Sequence, residues 1–337
     1  MIAPPRLAAT LFSFTNELLA AERPPDALLA ELLETAPGVA VEIDGAQHFR
    51  SFPLLDPEEV GRTAAVVHAA RGRISLLGGG ADVAPGPGRL LDADGQVEHL
   101  RAQITAAAML GADGLRIPFG VVPWTVLERV ADQARATGVL LLEEVQGPAD
   151  PGGPPILARI EDLERTGDTT VRLLLDTSAL MGGLPGTYAS ALRAERVPDA
   201  LVERLGQALA DGRVAPIVLP ALADPAITPA GHALLLTAMT RFGSTRADEW
   251  SSLAPWIAAV HVKWWDLGSA AADLDGEAGA VLEGLLSAGF DGTVCSEWGG
   301  HEWMGLGTRA ADQVAAHLAL LRDRFRTRTD DFSTKTT

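Results

Sequence analysis

Acidic and imidazole side chains stand at the ends of several short apolar runs, where they could hold a metal ion or move protons. Asp176 and Glu297 each end such a run, Glu143 and Glu144 lie near the end of another, and His261 lies within a fourth. Carboxylates crowded together without a counter-charge raise one another's pKa values, which is costly. A divalent cation would relieve that repulsion, so this set of residues predicts a metal site.

The residue types also restrict which metal is expected. One glutamate of the pair at 143 and 144, Asp176, Glu297 and His261 would give three carboxylates and one imidazole. This mostly hard ligand set suits Mn²⁺ first and Mg²⁺ or Co²⁺ next. Cys295 is the only cysteine, so neither a thiolate zinc site nor a disulfide framework is expected within one chain. Alternate strand residues share a face, so Lys263 should point the same way as His261. Among 27 Lys and Arg residues, only Lys263 and Lys335 are lysines.

The elements that must position these residues alternate between strand and helix. Amphipathic helical patterns separate the apolar runs, and such alternation predicts a (β/α)8 TIM barrel in a single α/β domain over residues 1–326, followed by a disordered tail over 327–337. Eight apolar runs are the expected strands: 7–14, 39–44, 74–79, 114–119, 139–145, 171–177, 258–265 and 293–297. A ninth run, 215–220, falls within an expected insertion between strands 6 and 7, at about 178–257. A competing count makes 215–220 a barrel strand and drops 74–79.

Charge and hydropathy restrict the partners. The chain of 337 residues has a formal net charge of −17, which disfavours nucleic acid and anionic membrane surfaces. We find no membrane-spanning run and no secretory signal, so a cytoplasmic location is expected. The sequence leaves open whether the chain forms a homo-oligomer or binds a small second subunit.

Four segments resemble the xylose isomerase-like barrels of the sugar phosphate isomerase/epimerase superfamily. They are LEEVQ at 142–146, LDT at 175–177, HVKW at 261–264 and SEWGGH at 296–301. In that superfamily a Glu, an Asp, a His and a Glu on successive strands bind the metal. The resemblance implies that Glu143, Asp176, His261 and Glu297 are the ligands here, although strand alternation alone leaves Glu143 and Glu144 both open.

The segments at 261–265 and 296–301 are most similar to the α subunits of C-glycoside deglycosidases. That resemblance implies that the chain removes the proton next to the carbonyl of a 3-keto glycoside and expels the aglycone by β-elimination. The residues expected to act on protons or charge are Glu143, Glu297, Lys263 and His301. The residues expected to contact the carbohydrate substrate are Glu42, His48, Trp264, Trp265, Trp298 and Trp303.

Two positions depart from the family pattern. Deglycosidase-type proteins often place a His where Val145 stands, and ketose epimerases usually place one where Ala179 stands. These departures leave two alternatives to the lyase: a sugar isomerase or epimerase, and a non-catalytic barrel subunit of a complex. An endonuclease of the same fold is not expected, because that branch needs many more His ligands and a basic surface, whereas this chain has seven His residues and a strong negative charge.

Overall fold

Eight parallel strands form a closed barrel in sequence order, which confirms the predicted (β/α)8 fold. The computed structural model describes residues 5–80, 91–305 and 307–334, with side chains as far as 326. The strands are β1 (Arg6–Thr10), β2 (Ala40–Asp44), β3 (Ile74–Gly78), β4 (Gly114–Pro118), β5 (Leu140–Val145), β6 (Val171–Asp176), β7 (Ile257–Trp264) and β8 (Thr293–Trp298). Each predicted run overlaps one of these strands.

Helices surround the barrel and follow most of its strands. They are α1 (Thr15–Ala20), α2 (Pro25–Thr35), α3 (Gly45–His48), α4 (Pro57–Ala69), α5 (Ala93–Leu110), α6 (Trp124–Thr137), α7 (Pro154–Thr166), α8 (Gly186–Ala194), α9 (Asp199–Ala210), α10 (Ala215–Ala221), α11 (Pro229–Arg241), α12 (Ala247–Ser251), α13 (Leu267–Asp275), α14 (Glu277–Ser287) and α15 (Ala310–Thr334). No helix in the described part of the chain combines the length and apolar character that crossing a membrane requires.

The segment between β6 and β7 contains helices α8 to α12 and no barrel strand. The run 215–220 forms α10, so the competing strand count is wrong. Pro216 and Pro220 lie in this run, and proline cannot donate the hydrogen bonds of a central strand. Side chains of α8 to α11 form a hydrophobic core of their own, which also contains Trp265 from the end of β7.

The last helix is longer than predicted. It continues to Thr334, beyond the boundary expected at residue 326, and 335–337 lie outside the described residues. The disordered tail over 327–337 stays a prediction. Neither glycine nor proline occurs after Gly307, so the sequence contains no strong helix-breaking residue there.

A buried histidine joins α15 to the outer face of β8. His317 Nδ1 lies 2.8 Å from Ser296 Oγ, and the imidazole stacks on Trp264 with ring centroids 4.8 Å apart. Its Nε2 has no hydrogen-bond partner among the described residues. Burial lowers the pKa of His317 to about 3. The imidazole is therefore neutral in the folded protein near neutral pH.

We expect His317 to make stability depend on pH. Because its pKa is about 6.5 in the unfolded chain and lower in the folded protein, its contribution is complete above pH 6.5 and is lost as pH falls towards 3. The free energy of unfolding should fall by up to about 1.4 kcal/mol per pH unit from this group. Denaturant unfolding of the wild type and His317→Gln between pH 7 and 4 measures the difference. Parallel curves for the two proteins would contradict the assignment.

Candidate active site

Four ionisable side chains meet where β5 to β8 end. Glu144, Asp176, His261 and Glu297 each offer one ligand atom, and these atoms lie within 4.8 Å of one another. All four side chains are buried. Because parallel strands of a closed barrel deliver their carboxyl ends to one mouth, residues distant in sequence converge there.

Strand alternation explains which residues face inward. Glu144 lies two residues after Leu142, whose side chain packs inside the barrel with Leu76, Leu174 and Ala259. Asp176 follows Leu174 at the same spacing, and His261 follows Ala259. Since alternate residues share a face, each of these charged groups is stacked above an apolar interior layer.

Glu143 does not belong to this cluster, so its predicted role as a metal ligand and catalytic group is wrong. Its side chain points outward between β5 and α7, where it forms a buried ion pair with Arg159. The amide of Gly120 donates to Glu143 Oε1 at 3.3 Å, and the guanidinium of Arg159 lies over Phe119 and Trp124. The family resemblance favoured the wrong member of the Glu143–Glu144 pair by one residue, which in a strand reverses the face.

Two buried oxygen atoms make the cluster suitable for a cation. Asp176 Oδ1 accepts the amide hydrogen of Ser178, but Asp176 Oδ2 has no hydrogen-bond partner in the described structure. Glu297 Oε2 also lacks a well-aligned donor, although it lies 2.5 Å from His261 Nδ1. Leaving buried carboxylate oxygens unsatisfied is costly. A divalent ion bound between them would satisfy both.

The pKa shifts reflect the same imbalance of charge. Burial raises the pKa of Asp176 to about 7, although Lys263 opposes the shift. Burial also acts on Glu144, but the cations of Arg116 and His261 outweigh it and lower the pKa of that carboxyl. The pKa of Glu297 is lowered well below its usual value, because Lys263 and His261 outweigh burial. Asp176 is therefore the carboxylate with the least positive charge nearby.

Lys263 lies beside the cluster, on the face that the alternation predicted. Its Nζ donates to Glu297 Oε1 at 2.5 Å and lies 4.0 Å from Asp176 Oδ2. The ammonium group also lies over the rings of Phe12 and Trp265, at 4.7 and 5.4 Å from their centroids. Burial lowers its pKa, but Glu297 and Asp176 outweigh that effect and raise it.

His301 lies next to these groups in the turn after β8. Its Nδ1 lies 2.8 Å from the carbonyl oxygen of Trp298, and its ring meets the edge of Phe12 at 4.8 Å. Burial and the neighbouring Lys263 lower the pKa of His301 to about 4. A neutral imidazole whose Nδ1–H donates to a carbonyl keeps its Nε2 lone pair free to accept a proton.

Glu42 lies inside the barrel, where other protein groups occupy its carboxylate. Its Oε2 is 2.7 Å from His261 Nε2, and its Oε1 accepts from Arg116 Nε at 2.5 Å. Arg116 Nη1 also donates to Glu144 Oε2 at 2.6 Å. We did not predict Arg116 from the sequence. The available signal was a charged residue inside the apolar run at 114–119.

His48 lies away from the barrel mouth, so the prediction that it contacts substrate is wrong. Its Nε2 is 3.1 Å from both Asp26 Oδ1 on α2 and Thr63 Oγ1 on α4. The residue joins two outer helices. The helix α3 starts directly after β2 and carries His48 into the helical layer.

Trp264 and Trp298 belong to the hydrophobic core, which corrects their predicted role at the substrate. Each side chain is 1% exposed. The two rings stack at 6.2 Å, and Trp264 packs on His317 of α15. Neither ring therefore presents a face to solvent on which a sugar could stack.

Trp265 and Trp303 connect the barrel mouth to the helices between β6 and β7. Their rings stack at 5.1 Å, and Trp303 Nε1 donates to Thr187 of α8 at 2.9 Å. Trp265 is buried, whereas Trp303 is partly exposed. Asp266 accepts the amide hydrogen of Thr187 at 3.0 Å. These contacts fix α8 against the ends of β7 and β8.

Sequence comparison finds similar proteins that cover almost the whole chain, although no family profile matches. The chain is 28% identical over 319 residues to a 3′-dehydrocarminate deglycosidase alpha subunit from Microbacterium sp., covering 90% of each protein. It is 28% identical over 323 residues to a C-glycoside deglycosidase alpha subunit from Microbacterium trichothecenolyticum, covering 90% of the chain and 85% of that protein.

Structure comparison finds the same fold in sugar isomerases and epimerases. A D-allulose 3-epimerase from Methylomonas sp. superposes with a TM-score of 0.55 at 13% identity, covering 95% of this chain and 98% of the epimerase. A sugar phosphate isomerase/epimerase from Parabacteroides distasonis gives 0.52 at 14% identity, covering 95% and 94%. The chain is thus similar along most of its length to C-glycoside deglycosidase α subunits, and its fold is the xylose isomerase-like TIM barrel.

Proposed function

We propose that this protein is a divalent-metal-dependent lyase that removes the proton α to the carbonyl of a 3-keto glycoside and thereby expels the aglycone. The observation that carries the proposal is the convergence of Glu144, Asp176, His261 and Glu297 on one buried point with two unsatisfied carboxylate oxygens. The similarity to deglycosidase α subunits supports the substrate class. Mn²⁺ is the ion we expect, with Mg²⁺ or Co²⁺ as alternatives.

The bound ion would act as a Lewis acid on the carbonyl and so acidify the neighbouring C–H bond. Lys263 lies close enough to stabilise the negative charge that then develops on the oxygen, because its ammonium group adjoins the ligand Glu297. Glu297 holds Lys263 in place as well as contributing a ligand oxygen. The surrounding rings of Phe12 and Trp265 exclude water and strengthen these interactions.

We assign proton removal to His301. With its Nδ1–H directed at the carbonyl of Trp298, the ring keeps a free acceptor at Nε2, and its lowered pKa keeps it neutral at pH 7. In the reaction the C2–H bond breaks, and its electrons form the C2=C3 double bond of an enediolate, whose negative charge lies on the C3 oxygen. The C3 carbonyl then re-forms, a C1=C2 double bond forms, and the bond from C1 to the aglycone breaks with its electron pair going to the aglycone. The leaving group takes up a proton, which His301 is placed to return.

The relatives' designation as alpha subunits supports an extension of the proposal to a second subunit. A homo-oligomer is the alternative. Static light scattering of the purified chain, alone and from cells that also produce a candidate partner, separates a monomer, a homo-oligomer and a hetero-complex.

The two adjacent glutamates should respond differently to the same substitution. Glu144→Gln should weaken Mn²⁺ binding by at least about 100-fold, since it removes a charged ligand, whereas Glu143→Gln should leave the affinity unchanged. Glu143→Gln should instead lower stability, by up to roughly 3–5 kcal/mol, because it leaves Arg159 buried without a counter-charge. Calorimetric titration of the chelator-treated proteins with Mn²⁺ measures the first effect, and denaturant unfolding measures the second. Loss of binding in Glu143→Gln alone would reverse the assignment.

Isotope exchange should reveal the proposed proton removal. In D₂O the protein with Mn²⁺ should exchange the C2 proton of a 3-keto glycoside and release the aglycone, both followed by NMR. Chelation should stop exchange and Mn²⁺ should restore it. His301→Gln should slow exchange by about 10²–10⁴-fold while metal affinity stays constant. Glu143→Gln is the matched control, assayed below its unfolding temperature.

Three outcomes would count against the proposed reaction. Exchange that persists in chelator would remove the metal from the mechanism. Exchange without aglycone release, accompanied by an epimerised product, would favour the isomerase or epimerase alternative. Tight Mn²⁺ binding with no exchange, either alone or with a partner subunit, would favour a non-catalytic barrel subunit.

A further inference from the structure

Glu42 on β2 and Arg116 on β4 lie inside the barrel but outside the four-residue cluster. We propose that they act as one positioning pair, which fixes His261 with Nδ1 towards the cation and keeps Glu42 from becoming a ligand. This inference rests on the proposed metal centre. It concerns two residues for which neither the family resemblance nor the ligand set predicts this role.

The contacts of His261 determine which ring nitrogen is available. Its Nε2 lies 2.7 Å from Glu42 Oε2, whereas its Nδ1 lies 2.5 Å from Glu297 Oε2 and 3.1 Å from Glu144 Oε1. The carboxylate of Glu42 is paired with Arg116, so its Oε2 acts as an acceptor, and the contact with His261 places a hydrogen on Nε2. When a cation takes the place of the hydrogen on Nδ1, the ring keeps its hydrogen on Nε2, and the Nδ1 lone pair faces the side where Glu144 and Glu297 lie.

Arg116 connects the carboxylate that holds the imidazole to one that would hold the ion. Its Nε donates to Glu42 Oε1 at 2.5 Å and its Nη1 donates to Glu144 Oε2 at 2.6 Å. Each carboxylate therefore uses one oxygen on the guanidinium and has the other directed at His261. The planar guanidinium fixes the separation of the two carboxylates, which a lysine ammonium could not do.

Arg116 also balances the charge of Glu42. Arg116 occupies Glu42 Oε1 and His261 occupies Glu42 Oε2, so neither oxygen of this carboxylate is free for a metal ion. A second group of potential ligands, Glu42, His261 and Cys295, would otherwise compete for one.

A glycine on the neighbouring strand provides independent support for the pair. A Cβ atom built on Gly78 of β3 would lie 2.8 Å from Arg116 Nη2 and 3.2 Å from the Cα atom of Asp44. Even the smallest side chain at this position would therefore displace the guanidinium. The absence of a side chain at Gly78 thus leaves the space in which Arg116 reaches both Glu42 of β2 and Glu144 of β5.

The test compares variants of the whole protein by Mn²⁺ titration and by thermal unfolding with and without Mn²⁺. Glu42→Gln and Arg116→Met should each weaken Mn²⁺ binding by about 10–100-fold, as is typical for groups that orient metal ligands. The double variant should have an Mn²⁺ affinity close to that of whichever single variant binds Mn²⁺ less tightly, because the two residues act as a unit. Gly78→Ala should also weaken binding, although it removes no charged group.

Two further variants separate positioning from general damage. Arg116→Lys keeps the charge but not the planar fork, so it should stay within about tenfold of Arg116→Met. Glu143→Gln removes a carboxylate from another buried Arg pair, so it should lower the unfolding temperature without changing the affinity for Mn²⁺. Should Arg116→Met fail to fold, Gly78→Ala and Arg116→Lys carry the comparison.

The outcomes distinguish this inference from the proposed function. Wild-type protein that binds no divalent ion would overturn the metal centre and the positioning pair with it. Wild-type binding with unchanged affinity in Glu42→Gln, Arg116→Lys and Gly78→Ala would overturn the pair alone. Full affinity in Arg116→Lys together with a loss in Arg116→Met would show that charge suffices, which contradicts the bridging role.

Discussion

The arrangement at the barrel mouth depends on opposing charges placed in a volume that water hardly reaches. Glu42, Glu144, Asp176 and Glu297 supply negative charge, and Arg116, Lys263 and His261 oppose it. Buried ion pairs rarely add net stability, because desolvation offsets much of their attraction. The cost of assembling seven such groups is understandable if their geometry serves binding. The barrel supplies that geometry, because the contributing strands all end at the same rim.

Rigid strands rather than loops hold these groups. Asp176 and His261 are direct partners in the β6–β7 register, and Lys263 and Glu297 are partners between β7 and β8. The strand register thus sets the distances between the backbone positions that carry the functional groups. Preorganisation of this kind is what electrostatic catalysis requires, since the groups need not reorganise when charge develops.

How far the sequence predicted this structure depended on the type of signal. The eight apolar runs predicted the eight strands, because burial on both faces of a parallel sheet leaves a strong compositional trace. The choice between Glu143 and Glu144 could not be made in the same way, since both faces of β5 are buried and the outward residue also found a charged partner. The prediction that Trp264 and Trp298 contact the substrate failed for a related reason. An aromatic ring beside a functional residue packs into a core as readily as it binds a sugar. Arg116 was overlooked because its partners come from distant strands.

The rarity of lysine in this chain has a practical consequence. Lys263 and Lys335 are the only two lysines, and Lys263 is 5% exposed. Coupling chemistry directed at lysine amines therefore has just two side-chain targets, one of which lies beside the proposed catalytic groups. Acylation of Lys263, read by peptide mass spectrometry, would act as a reporter of how often the mouth of the barrel admits a small molecule.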